Sequence, residues 1–146
     1  MKREVPILLI EDDAIDLKHI RRAFADNRVT NPVFAVGNGE EALSFLRHEP
    51  PFADPERYPR PGLILLDLNM PRMDGLTFLA EYKADARIRR IPAVVMTTSD
   101  ESVDRKRSYD LGVAGFIVKP LDFHEFAEAI RRFDLYWTLC EVPIDE

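Results

Sequence analysis

Residues 62–75 decide the fold of this chain, and they read GLILLDLNMPRMDG. Residues 63–66 form an unbroken apolar run, which is typical of a strand buried on both faces of a parallel sheet. The run ends at a single acid, Asp67, and turn-forming residues follow before a helical pattern begins at Leu76. Open α/β sheets place functional residues at the carboxyl ends of their strands. Asp67 is therefore either a site residue or a solvated helix cap, and this stretch alone favours neither.

The composition is that of an ordinary globular domain. The chain has 146 residues, of which 46% are apolar and 32% are charged, so it is long enough to bury one hydrophobic core. Its net charge of −6 argues against nucleic acid as a partner, because phosphate binding needs a basic surface. The single cysteine, Cys140, cannot form an intramolecular disulfide. Since no signal peptide or membrane-length apolar run is present, we expect a cytoplasmic protein that does not bind a membrane.

Strand-like and helical patterns alternate five times along the chain. The five predicted strands lie at residues 5–10, 32–36, 63–66, 92–96 and 114–118, and a helical pattern follows each of them. This alternation predicts a doubly wound α/β fold, in which five parallel strands lie in the flavodoxin-like order 2-1-3-4-5. Residues 48–61 contain five prolines, and we predict an exposed insertion there that continues neither helix nor strand.

Acidic residues follow two strands that are neighbours in the predicted order. Glu11 and Asp12 end the first strand and Asp67 ends the third, so we expect the three carboxylates to converge. Two carboxylates about 4 Å apart repel each other by about 4 kcal/mol at an effective dielectric near 20. Either one of them stays protonated or a cation lies among them. Hard oxygen ligands at an open loop suit Mg²⁺, whereas Asp13 is better explained as a helix cap.

Two more polar residues end strands at the same edge of the predicted sheet. Thr97 follows the fourth strand and Lys119 follows the fifth. A lysine in this place could simply be solvated. Beside the acids, however, its ammonium group can pair with a carboxylate or with an added phosphoryl oxygen, and Thr97 can donate a hydroxyl hydrogen bond. Each feature alone is a weak signal, and the combination is a strong one.

Four motifs resemble those of the receiver domains of two-component response regulators, in the same order and with the same spacing. They are ILLIEDD (residues 7–13), LILLDLNMPRMDG (63–75), VVMTTS (94–99) and GFIVKP (115–120). The proline-rich insertion, the TTS triplet and the ending DLYWTL further resemble the single-domain regulators that serve bacterial and cyanobacterial phytochromes. The resemblance implies one receiver domain over residues 1–146, with an extended C-terminal helix, that signals through protein contacts and is not an enzyme.

The resemblance also implies a role for each site residue. Asp67 would accept a phosphoryl group from the phosphohistidine of a sensor histidine kinase, here a phytochrome. Other residues would hold Mg²⁺, contact the phosphoryl group or respond to it. The implied metal ligands are Glu11, Asp12, Asp67 and the backbone carbonyl of Asn69, the implied phosphoryl contacts are Thr97 and Lys119, and the implied switch aromatic is Phe116.

Two other functions remain as alternatives. Aspartate-nucleophile phosphatases of the haloacid dehalogenase type also place an acid after a buried strand, but they carry a D-x-D motif. This chain has Asp67, Leu68 and Asn69, so it lacks the second acid that would serve as general acid and base. A receiver-like module that is never phosphorylated is the third interpretation, and the presence of every motif residue argues against it.

The last predicted helix carries more apolar surface than one domain can bury. The residues concerned are Phe133, Leu135, Tyr136, Trp137 and Leu139. A helix that is apolar around most of its circumference is buried by something, either its own domain or a partner. We predict a two-fold homodimer through this helix, in an interface that the fourth helix and the fifth strand could widen.

Overall fold

A five-stranded parallel sheet forms the centre of the computed structural model of this chain. The structure describes residues 5–68, 75–97, 106, 108–118, 125, 127–128 and 131–132. The strands are β1 (Ile7–Ile10), β2 (Val33–Val36), β3 (Leu63–Asp67), β4 (Ala93–Thr97) and β5 (Gly115–Val118). Their order is β2-β1-β3-β4-β5, and every neighbouring pair is parallel. The predicted fold class and strand order are confirmed.

Helices cover both faces of this sheet. They are α1 (Ala14–Asp26), α2 (Gly39–Leu46) and α3 (Gly75–Ala84), and further helical residues lie within the predicted fourth and last helices. Successive side chains of a strand point to opposite faces. Accordingly, Leu8 and Ile10 pack in one hydrophobic cluster with α2 and α3, whereas Ile7 and Leu9 pack in another with α1. Within the described part of the chain, no helix is long and apolar enough to cross a lipid bilayer.

Side-chain caps start the first two helices. The Oδ1 atom of Asp13 accepts hydrogen bonds from the backbone N–H groups of Ile15, at 2.8 Å, and Asp16, at 3.2 Å. Asn38 caps α2 in the same way, because its Oδ1 accepts from the backbone N–H of Glu41 at 2.9 Å. Such caps satisfy amide groups that have no partner inside the helix. The predicted cap at Asp13 is confirmed, and it starts α1 directly after the acids that follow β1.

The proline-rich insertion is folded onto the domain, so the prediction that it is exposed was wrong in part. Residues 48–61 contain neither helix nor strand, as predicted. Phe52 and Tyr58, however, are half-buried, and their rings lie 5.2 Å and 5.8 Å from the ring of Phe45 in α2. The ring of His48 hydrogen-bonds the backbone oxygen of Tyr58 at 2.9 Å. Aromatic pairs and the apolar area that they bury stabilise this packing.

Candidate carboxylate site

The strand register brings the three predicted acids together. Ile10 of β1 pairs with Leu66 of β3, so Glu11, which follows β1, and Asp67, which ends β3, lie side by side. Carboxylate oxygens of Glu11, Asp12 and Asp67 all lie within 4.8 Å of one another. The site therefore lies at the carboxyl edge of the sheet, between β1 and β3, where the strand order reverses.

Two of these acids are buried and the third faces solvent. The exposed fraction is 3% for Glu11 and 4% for Asp67, whereas Asp12 is exposed. Glu11 is held in place, because its Oε1 atom accepts a hydrogen bond of 3.1 Å from the backbone N–H of Asp13 and its own N–H donates to the oxygen of Val36 at 3.0 Å. The group of three carboxylates, called the acidic pocket here, thus has two buried members and one, Asp12, that faces solvent.

The charges in this pocket favour a bound cation. At 4.8 Å, two carboxylates repel each other by about 3.5 kcal/mol at an effective dielectric of 20, and the pocket contains three such pairs. A divalent cation among the oxygens replaces this repulsion with attraction. Carboxylate oxygens are hard ligands that suit Mg²⁺, Mn²⁺ and Ca²⁺, and the exposure of Asp12 lets water supply further oxygen ligands. The donor set of this pocket therefore fits a divalent ion.

Gly75 lets the helix that follows the pocket approach the end of β3. Its N–H donates a hydrogen bond of 3.2 Å to the backbone oxygen of Leu68. A Cβ atom at this position would lie 2.5 Å from the Cα atom and 2.6 Å from the Cδ2 atom of Leu68, which is closer than side chains tolerate. Because Gly75 has no Cβ atom, it can lie in contact with Leu68, and these two residues anchor the two ends of the loop after Asp67. Sequence analysis did not assign this role to Gly75.

Sequence analysis also did not single out Ile15, an exposed apolar residue that is close to the acids in the sequence. Ile15 lies in the first turn of α1, three residues after Asp12, and 68% of it is exposed. The signal in the sequence was available, since Ile15 falls outside the stripe formed by Leu17, Ile20 and Phe24 that packs α1 onto the sheet. Ile15 thus exposes a large apolar side chain in the first turn of α1, three residues after Asp12 in the sequence.

The other predicted site residues are described in part or not at all. Thr97 is the last residue of β4 and pairs in register with Val118 of β5, and Phe116 lies within β5 opposite Val95. The side chains of Thr97 and Phe116 lie outside what the structure describes. The same holds for the whole of Asn69, Lys119, Phe133, Leu135, Tyr136, Trp137 and Leu139.

The fold and the site together define a class of protein: a flavodoxin-like α/β domain with three converging carboxylates at the carboxyl edge of its sheet. Comparison with known proteins then identifies the family. Residues 7–131 match the response regulator receiver domain, and the chain belongs to this family. This assignment sets aside the interpretation as a haloacid dehalogenase-type phosphatase.

Individual relatives are similar over nearly their whole length. The response regulator Rcp1 of Synechocystis sp. is 33% identical over 131 residues, which cover 90% of this chain and 87% of Rcp1. The crystal structure of the phosphorylated cyanobacterial phytochrome response regulator RcpA is 36% identical with a TM-score of 0.82, and the match covers 97% of this chain and 100% of RcpA. The Mn²⁺-bound form of Rcp1 has a TM-score of 0.79 and 31% identity, over 96% of this chain and 99% of that one.

Family membership gives the site its general meaning. The chain is a response regulator of two-component signalling, a class in which an aspartate of the receiver domain is phosphorylated and a histidine kinase is the partner. Receiver domains bind a divalent ion through their acidic cluster, and the donor set of Glu11, Asp12 and Asp67 fits that use.

Replacing Gly75 tests the close approach at the end of β3. We expect Gly75→Ala to lower the free energy of unfolding by about 1–3 kcal/mol, because the new Cβ overlaps the backbone of Leu68. Urea unfolding followed by circular dichroism measures the change. The matched control is Gly37→Ala, where nothing lies within 4 Å of the added Cβ, so no loss of stability is expected. Equal losses in the two variants would contradict the close approach.

Proposed function

We propose that Asp67 accepts a phosphoryl group from a sensor histidine kinase, in a reaction that requires Mg²⁺ held by Glu11, Asp12 and Asp67. The observation that carries this proposal is the convergence of the three carboxylates within 4.8 Å at the end of β3. Asp67 is the acid that the strand itself presents, and it is 4% exposed. The backbone carbonyl of Asn69 completes the proposed set of protein ligands, in agreement with the family resemblance.

The proposed reaction is a phosphoryl transfer between two side chains. An oxygen of the Asp67 carboxylate attacks the phosphorus of a phosphohistidine, a P–O bond forms, and the P–N bond breaks. The imidazole leaves with the electron pair and takes up a proton from solvent. When bound, Mg²⁺ supplies the positive charge that lets an anionic nucleophile meet an anionic phosphoryl group. Asp67 is 4% exposed, which limits access of water to the nucleophile, and the neighbouring Glu11 is held by the backbone N–H of Asp13.

The phosphoryl group then changes the contacts of the domain. It adds close to two negative charges and three strong acceptor oxygens at the end of β3. In the proposed switch, Lys119 pairs with one oxygen, the hydroxyl of Thr97 donates to another, and Phe116 changes its rotamer as Thr97 moves. A ligand shifts a two-state equilibrium only through contacts that differ between the states. The Thr97 contact is the one proposed to differ.

A phytochrome is the kinase that the comparisons favour. RcpA is by its title a phytochrome response regulator, and it is 36% identical over 97% of this chain. The exposed Ile15 in the first turn of α1, three residues after Asp12, offers the kinase an apolar contact. On this proposal residues 1–146 act as a single receiver domain in the cytoplasm, where the phosphorylated kinase is available.

The proposed output is a contact between proteins, and a homodimer is its simplest form. Its support is the apolar character of the last helix in the sequence, since a surface of that kind on one domain usually marks an interface. Two-fold dimers are the commonest oligomers, and such an interface would repeat the same residues on both copies.

Phosphorylation of wild type and of Asp67→Asn tests the main proposal. With a small-molecule phosphodonor and Mg²⁺, we expect wild type to form one acyl phosphate per chain, and removal of Mg²⁺ by a chelator should abolish it. The Asp67→Asn variant should form none, because the amide has no nucleophilic oxygen anion. Intact-protein mass spectrometry provides the measurement. Equal phosphorylation of wild type and Asp67→Asn would contradict the proposal.

The matched control for this experiment is Ile15→Ala, which keeps all three acids. It should accept phosphate from the small donor at the wild-type rate. Transfer from the kinase should slow by about tenfold, since loss of one exposed apolar contact of this size is worth roughly 1–2 kcal/mol.

Light scattering tests the homodimer. Wild type should be dimeric at micromolar concentration, whereas the variant with Leu135→Glu, Tyr136→Glu and Leu139→Glu should be monomeric because it places three charges in the interface. The control is Ile15→Glu, which puts an acid on an exposed apolar position elsewhere and should stay dimeric. A wild type that is monomeric with and without phosphorylation rules the dimer out.

A further inference from the structure

Two loops meet at the edge of the sheet opposite the acidic pocket. The insertion at residues 48–62 leads into the start of β3, and residues 85–92 lead into the start of β4. These strands are neighbours, and their starts are joined, since the N–H of Ile64 donates to the oxygen of Pro92 at 2.9 Å. The carboxylates lie at the other ends of the same strands. Whatever binds at this second edge can therefore do so without covering Asp67.

Positive charge is concentrated at this edge although the chain as a whole is negative. Residues 47–60 and 83–90 together hold seven Lys or Arg side chains and four Asp or Glu side chains, in a chain whose net charge is −6. The group of cations that line the two loops is called the basic edge here. It consists of Arg57, Arg60, Lys83, Arg87 and Arg89.

Hydrogen bonds between the segments fix the position of the basic edge. Arg60 of the insertion donates from Nη1 to the backbone oxygen of Arg87 at 2.9 Å. Lys83 at the end of α3 donates from Nζ to the backbone oxygen of Arg89 at 3.0 Å. The loop that carries these arginines is anchored from within, since Ile88 is only 3% exposed. Backbone anchoring of this kind lowers the conformational entropy that a binding partner would have to remove.

Of the four acids in these two segments, Asp85 is already neutralised within the domain, whereas Glu49, Asp54 and Glu56 are exposed. The carboxylate of Asp85 accepts from Nε and Nη2 of Arg87, at 3.1 Å and 2.9 Å, and from Nε of Arg47 at 3.1 Å. Hydrogen bonds from Arg87, and a weaker effect from Arg47, hold the pKa of Asp85 well below its usual range, although burial acts in the opposite direction. Among the residues that the structure describes, no carboxylate lies within ion-pair distance of Arg57, Arg60 or Arg89.

We propose that the basic edge binds a short acidic segment of a partner protein. The planar guanidinium groups of Arg60 and Arg89 present pairs of N–H donors that match the two oxygens of a carboxylate. The half-buried rings of Phe52 and Tyr58 lie in the same insertion as Arg57 and Arg60 and add apolar surface there. Charge complementarity sets the register of such a segment and speeds its association.

A protein segment fits this surface better than a nucleic acid. The excess of positive charge is confined to the two segments 47–60 and 83–90, whereas the remainder of the chain is strongly negative. A long polyanion would extend beyond the basic edge and be repelled by the acidic remainder of the domain. A short peptide would stay on the edge. The contact is independent of phosphorylation, so it holds whether or not Asp67 is the phosphoacceptor.

Fluorescence anisotropy with a labelled short oligoglutamate peptide tests this proposal. At low ionic strength wild type should bind the peptide, and added salt should weaken binding. The double variant Arg60→Glu, Arg89→Glu should bind at least about tenfold more weakly. Arg89→Glu alone should lose part of the affinity, and it tests the idea without disturbing the fold because the Arg89 guanidinium makes none of the contacts described above.

Three comparisons make the outcome decisive. The variant Arg21→Glu, Arg22→Glu changes the net charge equally on the exposed face of α1 and should retain most of the affinity. Asp67→Asn should bind as wild type does, which separates this result from the proposed phosphorylation. A single-stranded oligothymidylate of the same length should bind more weakly than the peptide. No binding at low salt, equal losses in the two double variants, or tighter binding of the oligonucleotide would overturn the proposal.

Discussion

Glu11, Asp12 and Asp67 bring three negative charges within 4.8 Å of one another, and the fold has to supply the free energy that keeps them there. The β1–β3 register fixes the backbone beneath them, and burial of Glu11 and Asp67 strengthens their repulsion. This repulsion is relieved when a cation binds or when the carboxylates gain other contacts. The fold thus maintains a site that is unfavourable by itself, which is the condition for a site whose charge state controls its surroundings.

The same strand order places the acidic pocket and the basic edge at opposite ends of the strands. Because all five strands are parallel, every carboxyl end lies at one edge of the sheet and every amino end at the other. Acids follow β1 and β3, whereas the loops that precede β3 and β4 carry the arginines. Phosphoryl chemistry at one edge and the proposed protein contact at the other can therefore operate on one small domain without competing for surface.

Local patterns predicted most of the fold, and contacts between distant segments account for what was missed. Apolar runs and caps such as Asp13 act within a few residues, so the strand order and helix starts could be read directly from the sequence. The packing of Tyr58 on Phe45 and the contact of Gly75 with Leu68 depend on how segments meet in space. The convergence of the acids was predictable because the alternation of strand and helix patterns predicts the strand order, and in that order β1 and β3 are neighbours.

Unfolding measurements on Asp12→Asn with and without Mg²⁺ test the central claim most directly. Asp12 is exposed, so the substitution removes charge without a packing defect. Without divalent ions the variant should be more stable than wild type, by about 1 kcal/mol, because one repulsive partner is gone. Saturating Mg²⁺ should stabilise wild type by about 2.7 kcal/mol at a hundredfold excess over Kd, and the variant by clearly less. A variant that is less stable than wild type without metal, or equal stabilisation of both proteins by Mg²⁺, would contradict the account.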